Sequence, residues 1–155
     1  MDGMTHMDEQ GRARMVDVGG KPVTDRAATA EALVALAPAT REALFSGGLP
    51  KGDARAVARI AAIGGVKRTA ELVPLCHPIP VTGVDVDITE TADGARVLVT
   101  VRTTAPTGVE MEAMTGAAVG AITLYDMVKG IDRGAEIGPV RLLAKSGGRS
   151  GEWRR

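Results

Sequence analysis

Two stretches of strict two-residue alternation dominate the middle of the chain. In VTGVDVDITE, Val84, Val86 and Ile88 fall on one side and Asp85, Asp87 and Thr89 on the other. Period two is the pattern of a strand with one buried face. ARVLVTVRTT repeats it with Val97, Val99 and Val101. Asp93-Gly94 between them is a tight-turn pair, so Val81–Thr104 predicts an antiparallel hairpin. The period then changes. Met114, Ala118, Ala121, Ile122 and Tyr125 recur at three and four and predict a long helix from about Val109 to Gly130. Upstream, PATREALFSGG predicts a short helix that stops at Gly47-Gly48. Asp53 can cap a further helix over Ala54–Thr69. Pro74, Pro78 and Pro80 impose an extended loop. IGPVRLLAK predicts a last short strand.

The segment Lys21–Leu36 reads two ways. Its alanines favour helix, while Val23, Thr24, Thr29 and Val34 allow a long strand. As a strand it completes a β-α-β-β-α-β order, the plan of a ferredoxin-like α+β fold: an antiparallel sheet packed by helices on one face. The first twelve residues are polar and aperiodic and read as a flexible arm. Residues 13–155 read as a single domain ending in the Gly-rich basic tail SGGRSGEWRR. No internal repeat is visible.

Composition narrows the function. The chain has 155 residues, 45% hydrophobic and 25% charged, enough to build a core without staples. Its 19 basic and 19 acidic residues cancel, which argues against coating a nucleic acid. The aromatics are Phe45, Tyr125 and Trp153 alone, too few for a base-stacking platform. A lone Cys76 allows neither an internal disulfide nor a cysteine-built zinc site. With no signal peptide and no membrane-length apolar run, the expected compartment is the cytoplasm.

Several polar groups could carry chemistry, each with a plainer reading beside it. Lys51 and Asp53 stand before a helix start, where anions are attracted; the plainer reading is a capped turn with a solvated lysine. Leu75-Cys76-His77-Pro78 holds a histidine in a rigid loop, as an acid, base or anion contact or as an ordinary loop residue. Cys76 reads as a small hydrophobe rather than a nucleophile. Glu110 and Glu112 open the long helix, where acidic residues suit the macrodipole in any case. Asp126 and Lys129 are three apart, the spacing of a surface ion pair. Lys145–Gly151 resembles a phosphate cradle in composition but lacks the P-loop pattern, and a flexible tail is the commoner explanation. One geometric point links these groups. Glu112 and Lys129 lie on one helix about 25 Å apart, at 1.5 Å per residue. If one small ligand needs both, two protomers must share the site.

MVDVGGK (Met15–Lys21), KGD (Lys51–Asp53), ARIAAIGGVKRTAELVPLCHP (Ala58–Pro78), TGVEMEAMT (Thr107–Thr115), LYDMVKGID (Leu124–Asp132) and IGPVRLLAKSGGRSG (Ile137–Gly151) together resemble the MoaC family of cyclic pyranopterin monophosphate synthases. The resemblance runs from about Thr5 onward. It implies a ferredoxin-like subunit and a homo-hexamer, a trimer of dimers with sites at the dimer interface. It implies a lyase of molybdenum cofactor biosynthesis that turns 3′,8-cyclo-7,8-dihydro-GTP into cyclic pyranopterin monophosphate and releases pyrophosphate. The substrate would come from a radical enzyme that carries the pathway's iron–sulfur clusters. Carried over by position, the catalytic residues are Lys51, Asp126 and Lys129. The substrate-binding residues are Leu75, Cys76, His77, Met111 and Glu112, with Arg26, Lys67 and Lys145 as further basic groups.

These residue types suit that chemistry. Cations offset charge on departing pyrophosphate. A lysine crowded by other cations is expected to titrate nearer neutrality and to move protons. Glu112 can accept from the N–H donors of a guanine edge. No cofactor or metal-ligand set is called for; Mg²⁺ could assist pyrophosphate departure, yet no carboxylate cluster demands it. Similar proteins carry a Lys or Arg just before TGVEME, where this chain has Pro106. A non-catalytic binder of pterins or nucleotides is the alternative, since fold alone does not fix function.

Overall fold

A computed structural model describes residues 6–155; residues 1–5, part of the stretch expected to be an arm, lie outside the described residues. The alternation forms strands where expected. Among the described residues the elements follow in chain order. The first is β1 (Thr24–Ala35), followed by α1 (Pro38–Ser46), α2 (Ala54–Lys67), α3 (Thr69–Leu72), β2 (Val81–Thr91), β3 (Gly94–Ala105), α4 (Glu110–Val128), β4 (Glu136–Ser146) and β5 (Trp153–Arg154). In the hairpin Val84 faces Val101, Val86 faces Val99 and Ile88 faces Val97.

The ambiguous Lys21–Leu36 segment resolves as β1. Period two decides it: Ala28, Ala30, Ala32 and Val34 are buried, while the residues between them turn to the other face. Those alanines sit opposite Val101, Val99 and Val97 of β3. The opposite face carries polar cross-strand pairs, with the Thr29 and Thr100 hydroxyls 2.9 Å apart. There the Arg141 Nε donates to the Glu31 carboxylate over 2.8 Å. Strand order is β2-β3-β1-β4-β5, every neighbouring pair antiparallel. The first four strands reproduce the ferredoxin-like arrangement. The C-terminal tail departs from expectation: Trp153 and Arg154 pair with Lys145 and Ala144 and add a fifth strand. Residues 6–14 fold into a small turn, in which the Asp8 carboxylate accepts from the Gln10 and Arg12 backbone N–H groups.

Helix α2 starts as its sequence predicts, with Asp53 Oδ1 accepting from the Ala56 N–H at 3.0 Å. It ends at Lys67, two residues early. The Thr69 hydroxyl turns back onto the Gly65 and Val66 carbonyls at 3.2 and 3.0 Å, and the chain restarts as α3. Helix α4 crosses β1, β3 and β4, and α2 lies against α4 and β2. The two helices run antiparallel, with Val66 beside Gly116 and Ala58 beside Gly120. Glycine is what lets them approach: a Cβ at Gly116 would stand 2.6 Å from Val66 Cγ2, and one at Gly120 3.3 Å from Ala62 Cβ. The layer between helices and sheet is aliphatic, centred on Val97, Val99, Val101, Ala117, Ala121 and Leu124, all 0% exposed. Burial of each valine or leucine there stabilises the fold by roughly 1.5–3 kcal/mol. Among the described residues no helix is long and apolar enough to cross a membrane.

The close helix crossing generates a prediction. Gly116→Val forces side-chain atoms into Val66 and the Ala62 carbonyl and lowers unfolding free energy by about 3 kcal/mol in urea titration, the upper range for overpacking. An unchanged midpoint would mean that α2 does not lie against α4 at this point.

Candidate active site

The sequence candidates fall into two clusters at opposite ends of α4. The first surrounds its N-terminus. Pro74, Pro78 and Pro80 keep the loop before β2 out of helix, and the Cys76 N–H anchors it to the Val73 carbonyl at 3.0 Å. The loop and the first turn of α4 wall a cleft of about 340 Å³. Leu75, Cys76, His77, Met111 and Glu112 all line it, so the five binding candidates are brought together. His6 and Lys21 line it too, from the N-terminal segment.

Glu112 dominates the electrostatics here. It is only 4% exposed, and among the described residues no cation pairs with it. Loss of water pushes its carboxyl up to about 7; its own backbone N–H partly opposes this and the neighbouring Glu110 adds to it. At neutral pH the group is therefore shared between acid and carboxylate, able to donate or accept. Burial, and then the Glu112 charge, push the Cys76 thiol up. Cys76 is thus a cleft wall and not an activated nucleophile, in line with its sequence reading.

A neighbouring groove of about 670 Å³ shares Lys21 and Thr107 with the cleft and holds Arg26, Pro106, Arg149 and Ser150. Arg26 is fixed from behind, donating through Nε to the Ala105 carbonyl at 3.1 Å and through Nη2 to that of Pro106 at 3.0 Å. Pro106 thus contributes its backbone carbonyl to holding Arg26 in place. Lys145 lines a separate groove with Glu152 and Arg154, its Nζ donating to the Ser150 hydroxyl. Lys67 ends α2 and is exposed, outside both the cleft and the Arg26 groove.

The second cluster closes the far end of α4. Antiparallel packing carries the start of α2 there, and Lys51 just before it donates to the Asp126 carbonyl at 2.8 Å and to Oδ2 at 3.3 Å. Lys129 reaches Oδ1 of the same carboxylate at 2.7 Å. One carboxylate thus sits between two ammonium groups. Hydrogen bonds from Lys129 and then Lys51 hold the Asp126 carboxyl below the usual carboxylate range. The bond to Asp126 pushes Lys129 up. This reverses the expectation of a lysine titrating nearer neutrality: the nearest charge to Lys129 is an anion, not a second cation. The clusters stay apart, since Glu112 and Lys129 are separated by about 25 Å of helix.

Sequence reading missed three residues here: His6, Lys21 and Arg149. Lys21 carried a signal, standing directly after the Gly19-Gly20 turn. Arg149 was hidden in a tail that reads as loose.

Fold and site together define a class: an α+β subunit with a cation-flanked cleft at one end of a helix and a lysine–aspartate–lysine cluster at the other. Comparison with known proteins makes this specific. The chain belongs to the MoaC family, whose model matches residues 15–148. A Streptomyces coelicolor protein named cyclic pyranopterin monophosphate synthase is 54% identical over 154 residues, covering 99% of this chain and 91% of the relative. Relatives of the same name from Thermomicrobium roseum (52% identical; 98% of this chain, 93% of the relative) and Corynebacterium glutamicum (50%; 99% and 98%) agree.

The raised Glu112 carboxyl sets a pH dependence of stability. Its folded value lies above its unfolded one, so the folded state holds the proton more tightly. Stability is therefore lost as pH rises from about 4.5 to about 7 and stays reduced above that. Glu112→Gln removes this loss. The variant melts above wild type at pH 8 and with it at pH 4, as thermal denaturation at the two pH values will read. Equal melting at pH 8 would contradict a buried, unpaired carboxylate.

Proposed function

We propose that this chain is a cyclic pyranopterin monophosphate synthase, the activity for which its relatives are named. It takes 3′,8-cyclo-7,8-dihydro-GTP, rearranges the purine to a pterin and releases pyrophosphate. The observation that carries this reading is the Asp126 carboxylate held between the Lys51 and Lys129 ammonium groups, at 3.3 and 2.7 Å. A pair of lysines sharing one carboxylate is an acid–base device: Asp126 orients both Nζ atoms and keeps Lys129 charged until a substrate proton acceptor arrives. In the proposed sequence a lysine gives its proton to the imidazole nitrogen that leaves when the purine's five-membered ring opens. The amine so formed then takes the proton released when the new ring closes.

The other end of the site binds. His77 and Glu112 contact the base, with the Glu112 carboxyl, poised near neutrality, on the guanine edge. Leu75, Cys76 and Met111 supply the apolar walls. Arg26, in the groove beside the cleft, faces the phosphates, and Lys67 and Lys145, which lie outside that groove, add positive charge from farther off. Cyclisation joins a ribose hydroxyl oxygen to the α-phosphorus and breaks that phosphorus's bond to the bridging oxygen, and these cations offset the charge that leaves on pyrophosphate. The proposal draws its positive charge from side chains and includes no metal or cofactor.

A single chain cannot present both clusters to one nucleotide, so we place the complete site between two copies within a homo-hexamer, a trimer of dimers. A radical enzyme of the same pathway supplies the substrate, in the cytoplasm.

The test is turnover of the cyclised nucleotide generated in situ, followed by pyrophosphate release and by the fluorescence of the oxidised pterin. Wild type forms both. Lys51→Ala and Lys129→Ala each lower the rate by about 10²–10⁴-fold, the usual loss for a proton-transfer group, with assembly unchanged in sedimentation. An assembled wild type that forms neither product would overturn the reading and leave a binding protein.

A further inference from the structure

The chain has two histidines, His6 and His77, far apart in sequence, and both line the same cleft. The proposed function uses His77 alone. His6 belongs to a stretch that is polar and aperiodic, so no local pattern gives it a place.

The fold does. The chain reverses between His6 and Arg14. The Arg14 N–H donates to the His6 carbonyl and the Asp8 N–H to the Arg12 carbonyl, both at 2.9 Å. Met7 and Ala13 form an antiparallel bridge beside them. Gly11, at φ +76°, takes the left-handed backbone that the reversal needs. The Asp8 carboxylate closes the turn: Oδ1 accepts from the Gln10 and Arg12 N–H groups at 2.9 Å each, and Oδ2 from Arg12 Nε at 2.7 Å. Residue 6 is thereby returned to residue 14, just before Val16. Val16, Val18 and Lys21 line the cleft together with His6.

The cleft thus has three walls. The loop before β2 brings His77, the first turn of α4 brings Glu112, and the N-terminal segment brings His6 and Lys21. The two polar residues of that segment divide between two spaces. Lys21 also lines the groove that holds Arg26 and Arg149, the cationic space that suits phosphates. His6 does not line that groove and keeps to the cleft, with Glu112 and His77. Its place is at the base end of a bound nucleotide. The chemistry agrees. A neutral imidazole carries one donor and one acceptor, and its flat ring stacks on nucleobases.

We propose that His6 is a further substrate-contacting residue, meeting the nucleobase from a wall that neither His77 nor Glu112 occupies, and that residues 6–14 are the turn that holds it there. The inference deepens the proposed function and rests on its assignment of the base to this cleft.

A chain with two histidines makes the test direct. The imidazole signals of the assembled protein are recorded by NMR, and the one missing from His6→Ala is that of His6. GTP, which shares its base and triphosphate with the proposed substrate, is then titrated into wild type. Both signals move and saturate together. A His6 signal that stays in place while that of His77 moves would overturn the inference and leave the proposed function standing. If neither moves, the inference falls together with the assignment of the base to this cleft. Turnover gives a second readout. His6→Ala raises KM for the cyclised nucleotide by about 3–10-fold, the loss of one hydrogen bond, with kcat and melting temperature unchanged. His6→Gln, which keeps a donor and an acceptor, recovers part of that loss. An unchanged KM, or a lowered melting temperature in place of a raised KM, would overturn the contact.

Discussion

An α-helix advances 1.5 Å per residue, and that fixed rise holds the two ends of this site apart. Helix α4 is packed against β1, β3 and β4 over its length, and nothing within one chain can fold its ends together. Everything functional is arranged around this rod. Gly116 and Gly120 let α2 lie close and antiparallel, which delivers Lys51 to Asp126 at one end. The proline-bound loop before β2 delivers His77 and Cys76 to Glu112 at the other. The small residues of β1 serve the same end, because Ala28, Ala30 and Ala32 give α4 room against the sheet.

The two ends differ in their electrostatic strategy. At the C-terminal end the charges are exposed and satisfied: Asp126 is shared by two lysines, and its field keeps Lys129 protonated. Water screens such pairs, so their value lies in orienting Nζ atoms rather than in stability. At the N-terminal end Glu112 is buried, with no ion-pair partner among the described residues, and it holds a proton into the neutral range. A carboxyl in that condition stores an unmet demand for a cation or a hydrogen-bonding ligand. In the proposed function the N–H edge of a guanine answers it.

Much of this was legible in the residues. The Val84–Ile88 and Val97–Val101 alternations are strong because one face of each strand is fully aliphatic. Lys21–Leu36 was ambiguous because alanine fits either period, and only pairing with β3 on one side and β4 on the other decides it. Strand β5 was invisible: two residues after a run of glycines carry no period, and their partner Lys145 is set by register alone. The family resemblance marked Lys51, Asp126 and Lys129, but nothing local joins Lys51 to residues 75 positions away; that contact is tertiary. The direction of the Lys129 shift was misjudged for the same reason, since the nearest charge is known only once the chain is folded. Lys21 and Arg149 escaped because a basic residue beside glycines usually faces solvent.

The central claim is that one catalytic site takes its two ends from two chains. Subunit mixing tests it most directly. Lys129→Ala and Glu112→Gln are each prepared inactive, then unfolded together in equal amounts and refolded. With shared sites, a mixed dimer contains one intact site and one doubly altered site. Random pairing then restores about one quarter of wild-type turnover, since half the dimers are mixed and each regains one of two sites. Turnover that stays at the level of the separate variants, in a mixture shown to contain mixed dimers, would contradict the account and require each chain to build its site alone.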